Sequence, residues 1–260
     1  MIRTPLLAAL TLLVAAPSLP QPAGHSAVAG HAKPYRPIDA IRWTFGDESS
    51  GDRHSARQLR FSHGHSNSSI SPDRDPEVQR VVDAIARAAP GQTLSFALTR
   101  EAGTISCSGR ADDGGDGSGT CRFDPDPSFA AALAAREIAA KDSEEMLALT
   151  LVNAHLATAD GLAGEGFRLG GAGDLIAVSA LGVTPAYAGE LRGAGLKIYE
   201  IGDLIAARAL KIDASWLGAM ADAGYPNLEV GKAIQMRALG VTPDYAMKMA
   251  HVLRQVGEIQ

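Results

Sequence analysis

The sequence predicts an α+β unit with a disulfide-linked β-hairpin, followed by an all-α array of helix-pair repeats that forms a short α-solenoid. Three observations lead to this fold class. Apolar residues alternate with a period of two between Ile38 and Phe129, as they do in half-buried strands. Two cysteines occupy facing positions in one predicted hairpin. Residues 146–260 repeat every 29 residues, which is typical of stacked helical repeats.

The chain divides into five predicted segments. Arg3 and a short apolar run over residues 6–16 indicate a signal peptide, and the small residues 27–29 offer a cleavage site that would remove residues 1–29. The apolar run is too short to span a bilayer, although an uncleaved N-terminal anchor is the alternative. Residues 30–37 are predicted to be a flexible linker. The remaining segments are a small α+β domain (38–127), bridging helices (128–145) and four helical repeats (146–260).

Composition limits the partners. The chain has 24 basic and 29 acidic residues, a net charge of −5, and the two signs are interspersed. Residues 146–260 carry 11 acidic and 9 basic side chains. A nucleic-acid-binding surface requires a cationic footprint, so we expect no nucleic-acid partner. No segment after the signal approaches 18 continuous apolar residues, and we therefore expect no stable membrane span in the mature chain.

The first domain is predicted to combine several strands with one helix. Apolar residues alternate with polar ones over residues 41–45, 59–61 and 94–98, as expected for strands with one buried face. Between the last two of these segments, Asp75 is placed to cap a helix that has Pro76 in its first turn. One helix among several strands indicates a sheet that is covered on one side.

The two cysteines lie in the best-defined predicted hairpin. If the hairpin is centred on Gly114, Cys107 lies directly opposite Cys121, and Ile105 lies opposite Phe123. Directly opposed residues on antiparallel strands are close enough for a disulfide. An exported chain with an even number of cysteines favours the same bond. A redox-active pair is the alternative, which the absence of a C-x-x-C spacing disfavours.

Two segments of this domain contain residue types that bind metals. His63 and His65 would point to the same side of an extended strand, and His54 or an acidic residue would have to supply a third ligand. The Asp-Gly loop 112–117 has too few oxygen ligands for calcium, and its composition also suits a wide turn. Surface histidines and an ordinary turn are the favoured interpretations. We therefore predict no metal site and no cofactor.

Each 29-residue unit is predicted to form two short helices. The units cover residues 146–174, 175–203, 204–232 and 233–260. The second and fourth units share the string A-L-G-V-T-P-x-Y-A. Helix caps are expected at the equivalent residues Thr184, Asp213 and Thr242.

One aromatic residue follows each of these caps by three positions. Tyr187, Trp216 and Tyr245 occupy this column. Aromatic residues at a fixed spacing usually pack between neighbouring helix pairs. The alternative is that the three residues form an exposed interaction surface, and both interpretations stay open at the level of sequence.

Several strings resemble repeats found in exported bacterial proteins and in extracytoplasmic portions of BlaR1-like metallopeptidase sensors. These strings are residues 223–228 (AGYPNL) and 236–245 (MRALGVTPDY), and the hairpin over residues 100–123 is similar to the β segment that precedes such repeats. The resemblance implies a non-catalytic extracytoplasmic module. The chain departs from it in having cysteines in the hairpin. It also lacks an H-E-x-x-H motif, so the resemblance implies no peptidase activity.

We therefore expect an exported, non-enzymatic protein-interaction or scaffold module that is periplasmic or secreted. Its partner would be a protein or peptide of the cell envelope. Stacked repeats usually present surfaces for binding, and the sequence contains no convergent set of catalytic residues. Two alternatives remain. The β-rich unit would bind a metal or small ligand, with hydrolysis at His63 and His65, or the protein would be a structural component of the envelope.

Overall fold

The computed structural model describes residues 35–46 and 57–257. The predicted signal peptide, the first part of the predicted linker and His54 lie outside the described residues. Tyr35, near the end of that linker, donates a hydrogen bond from its hydroxyl to the carbonyl oxygen of Ala140 at 2.7 Å. This end of the linker is therefore attached to the segment that leads into the helical region.

Six strands form one antiparallel sheet. The spatial order of the strands is β3-β2-β1-β6-β5-β4. The first and last strands in the sequence, β1 and β6, therefore pair with each other at the centre of the sheet. The strands are β1 Ile38–Gly46, β2 Gln58–His63, β3 Ser66–Ile70, β4 Thr93–Arg100, β5 Gly103–Ala111 and β6 Gly117–Pro125.

Trp43 is the central side chain of the sheet. It is fully buried, and its Nε1 donates a hydrogen bond to the carbonyl oxygen of Ser108 at 3.1 Å. Gly109 and Gly119 face each other beneath the indole. A Cβ atom on Gly119 would lie 2.1 Å from the carbonyl oxygen of Ser108 and 2.6 Å from Trp43 Nε1. The glycine pair therefore makes the space that the indole occupies.

Helix α1 (Pro76–Arg87) covers part of the sheet, and its cap is the predicted one. The carboxylate of Asp75 accepts hydrogen bonds from the backbone N–H groups of Glu77 and Val78. Arg100 of β4 donates to the same carboxylate at 2.6 Å. Burial raises the pKa of Asp75, but these hydrogen bonds and the Arg100 charge outweigh it and leave the pKa lowered. The carboxylate thus joins α1 to the sheet.

The predicted hairpin register and disulfide are confirmed. Cys107 pairs with Cys121 across β5 and β6, and Ile105 pairs with Phe123. The two sulfur atoms are bonded, and the Cα atoms are 4.0 Å apart. Both cysteines and both apolar residues lie on the buried face of the sheet. The organisation as an α+β unit with a disulfide-linked hairpin, followed by a helical region, is as predicted.

Nine helices follow the sheet among the described residues, and their starts keep the 29-residue spacing. The helices fall into two series. The first series is α2 Pro127–Ala135, α4 Leu156–Gly164, α6 Pro185–Gly193, α8 Ala214–Asp222 and α10 Pro243–Gly257. The second series is α3 Ser143–Leu151, α5 Ala172–Leu181, α7 Ile201–Ala209 and α9 Val230–Ala238. The segment expected to bridge the two regions (128–145) therefore contains all of α2 except Pro127, together with the start of α3, and both helices follow the same spacing.

The ends of the second-series helices repeat in conformation as well as in position. Asn153, Gly182, Lys211 and Gly240 are 29 residues apart, and all four have a positive φ, between 51° and 71°. A left-handed residue stops a helix and reverses the chain within a short turn. Glycine adopts this conformation without strain, whereas Asn153 and Lys211 adopt it at a small steric cost.

Helices of the same series pack against each other along the chain. Helix α3 contacts α5, α5 contacts α7, and α7 contacts α9, while α4, α6, α8 and α10 follow the same rule. Helix α3 also contacts β5 and β6. The buried residues form one cluster from the sheet to Ala246 of α10. The sheet and the helices therefore share a continuous hydrophobic core.

No single helix among the described residues combines the length and apolar character needed to cross a membrane. Helices α3 and α4 reach the required length and apolar character only when they are counted together, and the chain bends by 84° between them.

Candidate functional site

The repeat cap positions bring each aromatic residue to an equivalent place. In each case the cap side chain accepts a hydrogen bond from the backbone N–H of the aromatic residue three positions later, as predicted. The three pairs are Thr184 with Tyr187 (3.1 Å), Asp213 with Trp216 (2.8 Å) and Thr242 with Tyr245 (3.2 Å). The local geometry at the start of α6, α8 and α10 is therefore the same.

Tyr187 is buried between successive helix pairs. Only 4% of its surface is exposed, and its hydroxyl donates a hydrogen bond to the carbonyl oxygen of Ile212 at 2.7 Å. The guanidinium of Arg208 lies over the ring, with Cζ 4.9 Å from the ring centroid. Arg208 Nε also donates to the carbonyl oxygen of Leu181 at 3.2 Å. Burial raises the pKa of Tyr187 to about 12.

Trp216 repeats this arrangement one unit later. It is 6% exposed, and Cζ of Arg237 lies 5.6 Å from the centroid of its ring system. Arg237 Nε donates to the carbonyl oxygen of Leu210 at 3.0 Å. Arg237 follows Arg208 by 29 residues, and Leu210 follows Leu181 by 29. An arginine on the following second-series helix thus covers both the aromatic ring and a carbonyl at the end of the preceding one.

Tyr187 and Trp216 are buried, which contradicts the possible exposed interaction surface at these two positions. Their burial agrees with the other interpretation, in which the aromatic rings pack between neighbouring helices. Tyr245 differs: 55% of its surface is exposed, and no described guanidinium lies over its ring.

The residues around Tyr245 form an exposed apolar surface. Leu239, which follows Leu210 by 29 residues, is 75% exposed at the end of α9. We call the following residues the C-terminal apolar surface: Leu239, Tyr245, Met249 and Val252. Met247 is also exposed, but a residue two positions from Tyr245 and Met249 lies on the other side of α10. A groove of about 340 Å³ continues this surface between α9 and α10, and its lining includes Tyr225, Lys232, Met236 and Val241. The arrangement is apolar, with one cation, and suits an apolar side chain or helix face.

The expected geometry of His63 and His65 is wrong. His63 is the last residue of β2, and His65 lies in the two-residue turn before β3, so the two do not alternate along one strand. His63 Nδ1 lies 2.8 Å from Glu144 Oε1 at the start of α3. Among residues 35–46 and 57–257, no group of three histidine, cysteine or carboxylate side chains is arranged to hold a metal ion.

The loop over residues 112–117, considered above for calcium, is instead held by an arginine. Arg57 donates a hydrogen bond to the carbonyl oxygen of Gly115 at 2.6 Å and forms an ion pair with Asp116. Its guanidinium also lies 4.7 Å from the ring centroid of Phe45. A cation thus already occupies the position where the loop oxygens converge.

A polar cleft of about 380 Å³ between β3 and the α3–α5 segment contains residue types found in serine hydrolases. Its lining includes His155 and Ser179, and His155 Nδ1 lies 2.7 Å from Glu101 Oε1. A nucleophilic serine requires a hydrogen bond to the base. Ser179 Oγ is buried and has no hydrogen-bond partner among the described residues. The cleft therefore lacks the contact that would activate the serine.

A groove of about 590 Å³ lies between the ends of α2 and α4. Its central charges neutralise each other, because Arg136 donates to both carboxylate oxygens of Asp160 at 2.7 and 2.8 Å. Arg136 also donates a third hydrogen bond, to the carbonyl oxygen of Ala132. Its guanidinium is therefore already paired within the protein and does not need an external anion. The C-terminal apolar surface, in contrast, has an exposed ring where the two preceding units have a buried one, and an exposed leucine where they have a half-buried one.

No protein-family model, curated protein or solved structure matches the chain. The candidate site therefore depends on the geometry of this chain alone. Sequence reasoning identified Tyr245 but missed Leu239, Arg208 and Arg237. The signal was present in the sequence, because the two arginines are 29 residues apart and each follows an aromatic residue by 21.

Proposed function

We propose that the protein is an exported, non-enzymatic interaction module that binds a protein or peptide of the cell envelope through its C-terminal apolar surface. In this proposal the helical region is a short α-solenoid that serves as a scaffold. The resemblance to repeats of BlaR1-like sensors belongs to the same proposal, as a non-catalytic extracytoplasmic role.

Three features support the solenoid. The helix starts are spaced by 29 residues, helices of the same series pack on each other in order, and left-handed residues recur at equivalent turns. In such arrays each unit buries its apolar side mainly against its neighbours. A helix of such an array therefore exposes apolar side chains wherever no neighbouring helix covers it.

The observation that carries the binding proposal is the exposure of Tyr245 and Leu239. Of the equivalent residues, Tyr187 and Trp216 are buried and Leu181 and Leu210 are half-buried, whereas Tyr245 and Leu239 are 55% and 75% exposed. Met249 and Val252, on the same side of α10 as Tyr245, extend the exposed area. A contiguous apolar patch on a protein surface is typical of an interaction site.

The disulfide supports export. Cys107 and Cys121 are bonded, and no free cysteine occurs among the described residues. Stable structural disulfides form in oxidising compartments such as the bacterial periplasm and the extracellular space. A periplasmic or secreted location, with removal of residues 1–29, is part of the proposal.

The test places a photocrosslinking residue, benzoylphenylalanine, at position 245 or at position 199 of the full chain, expressed with its own N-terminal segment in bacteria. Tyr199 is a matched control because it is 71% exposed and lies outside the groove. We expect an adduct from position 245 and none from position 199. The crosslinked protein, once purified, should bind the wild-type chain directly and bind a Leu239→Asp variant more weakly by about tenfold or more.

Equal adducts from both positions, or none from either, would contradict an interaction at the C-terminal apolar surface. An adduct with a second copy of the chain would indicate self-association and favour a structural envelope role instead.

A further inference from the structure

Aromatic residues and arginines occur as pairs in the helical region. Where the aromatic column contains Tyr187 or Trp216, the position 21 residues later is Arg208 or Arg237, and each guanidinium lies over its ring. In the preceding unit the aromatic column contains Thr158, and the position 21 residues later is Ser179. In these three units, the later position is an arginine when the column contains an aromatic residue, and it is not an arginine when the column contains threonine.

The carbonyl groups that accept hydrogen bonds from these arginines lie at the C-terminal ends of helices. Leu181 is the last residue of α5, and Leu210 follows the last residue of α7. Carbonyl groups at a helix C-terminus have no partner within the helix, and the partial negative charge there attracts a cation. Leu239 occupies the same position after α9, so its carbonyl and the Tyr245 ring form the third such receptor.

We infer that the C-terminal apolar surface receives an amphipathic helix of a partner protein, whose arginine stacks on Tyr245 and donates a hydrogen bond to the carbonyl oxygen of Leu239. This inference rests on the proposed function and specifies its partner. The partner helix would repeat on α9 and α10 the kind of contact that already joins α5 to α7 and α7 to α9 inside the protein.

The internal contacts also define the apolar residues of the partner helix. In α7, the buried residues Leu204 and Ala207 precede Arg208 by four and one positions. In α9, Ala233 and Met236 precede Arg237 by the same intervals. The partner helix should therefore carry apolar residues four and one positions before its arginine, which puts all three on one helix face.

The probe is a fluorescein-labelled peptide that copies residues 200–213, which includes α7 and both flanking residues. A second peptide carries Arg208→Met, which keeps the apolar stem and removes the guanidinium. Binding to the full-length wild-type protein, to Tyr245→Ala and to Tyr199→Ala is measured by fluorescence anisotropy. Both peptides are short and form little helix alone, so the comparison between them is more informative than either absolute affinity.

We expect the Arg208 peptide to bind the wild-type protein about tenfold more tightly than the Met peptide. Tyr245→Ala should weaken the Arg208 peptide by a similar factor and should abolish the difference between the two peptides, because the two changes remove the same contact. Tyr199→Ala should bind both peptides like the wild type.

Equal binding of both peptides, weakened by Tyr245→Ala, would overturn the role of arginine and leave the apolar site of the proposed function intact. Failure of both peptides to bind at millimolar concentration would overturn the helix as the ligand class, while the crosslinking result would still decide the proposed function. A dimer in sedimentation that Tyr245→Ala dissociates would also overturn the inference, because a second copy would then cover the surface.

Discussion

Glu101, in the turn between β4 and β5, supplies the helix cap that His155 does not provide. Its Oε1 lies 2.7 Å from His155 Nδ1, and its Oε2 accepts a hydrogen bond from the backbone N–H of Leu156 at 3.0 Å. Position 155 is the cap position of the repeats, where Thr184 and Asp213 use their own side chains. At α4 the sheet therefore contributes the acceptor that fixes the start of a helix.

Replacing Glu101 with glutamine should weaken this junction. We expect the free energy of unfolding to fall by about 1 kcal/mol at pH 7, because a cap with a charged acceptor is replaced by a neutral one. Burial raises the pKa of Glu101, but hydrogen bonds from His155 and Leu156 outweigh it and leave the pKa lowered. A carboxylate with a lowered pKa stabilises the fold above its unfolded pKa, and that contribution is lost as the pH falls below roughly 4.

Urea unfolding at pH 7 and pH 3 checks this prediction. The difference between the wild type and Glu101→Gln should be largest at pH 7 and should shrink at pH 3. The protein has two tryptophans, Trp43 in the sheet and Trp216 in the helical region, so a Trp216→Phe background reports the sheet separately. The same difference at both pH values would show that the Glu101 charge does not contribute.

Tyr187→Phe should remove one buried hydrogen bond. The Tyr187 hydroxyl donates to the carbonyl oxygen of Ile212 at 2.7 Å, and its loss should lower the free energy of unfolding by about 1 kcal/mol. Burial raises the pKa of this hydroxyl to about 12, above the value of roughly 10 for a free tyrosine. The contribution of Tyr187 to stability is therefore complete below pH 10 and is lost as the pH rises towards 12.

Absorbance titration of tyrosinate tests the shift directly. The chain has five tyrosines, and the single-tyrosine step that Tyr187→Phe removes should be one near pH 12. If the wild type and Tyr187→Phe gave titration curves of the same shape above pH 11, the raised pKa would not belong to Tyr187.

Arg237→Met should weaken the contact between the last two units. The substitution removes the guanidinium over Trp216 and the hydrogen bond to the carbonyl oxygen of Leu210, while it keeps much of the apolar stem. We expect a loss of about 1 kcal/mol in the free energy of unfolding and a change in Trp216 fluorescence. Arg168→Met is the control because Arg168 is exposed. Equal losses in both variants would argue against a specific contact with Trp216.

Gly119→Ala should destabilise the sheet by about 1–3 kcal/mol, because the added Cβ would overlap the carbonyl oxygen of Ser108 and the Trp43 ring. Gly189→Ala in α6 is the matched control, since its Cβ would meet no atom within 4 Å. Alanine is the better helix former, so this variant should gain about 0.5–1 kcal/mol. Thermal unfolding of both variants measures the two effects, and a neutral Gly119→Ala would mean that the sheet accommodates the methyl group.

The sequence was a reliable guide where a structure depends on neighbours along the chain or on strand register. The caps at Asp75 and Asp213 were predicted because a capping hydrogen bond joins residues only two or three positions apart. The Cys107–Cys121 bond was predicted because the centre of a hairpin fixes which residues face each other. The strand assumed for His63 and His65 was wrong because a two-residue turn, Gly64 and His65, interrupts it. Gly64 has a positive φ of 55°, which glycine adopts readily at the first position of such a turn.

Sequence alone determined the 29-residue spacing, the order of sheet and helices, and the capped starts of four helices, at Asp75, Thr184, Asp213 and Thr242. Only the tertiary structure decided which aromatic residue is exposed. Tyr187, Trp216 and Tyr245 have the same local surroundings, so no local pattern distinguishes them. Their burial depends on whether a further helix pair packs over the ring, which is a contact between units. The Glu101–His155 contact, across 54 positions, was hidden for the same physical reason: the fold must bring the two residues together before either can bind the other.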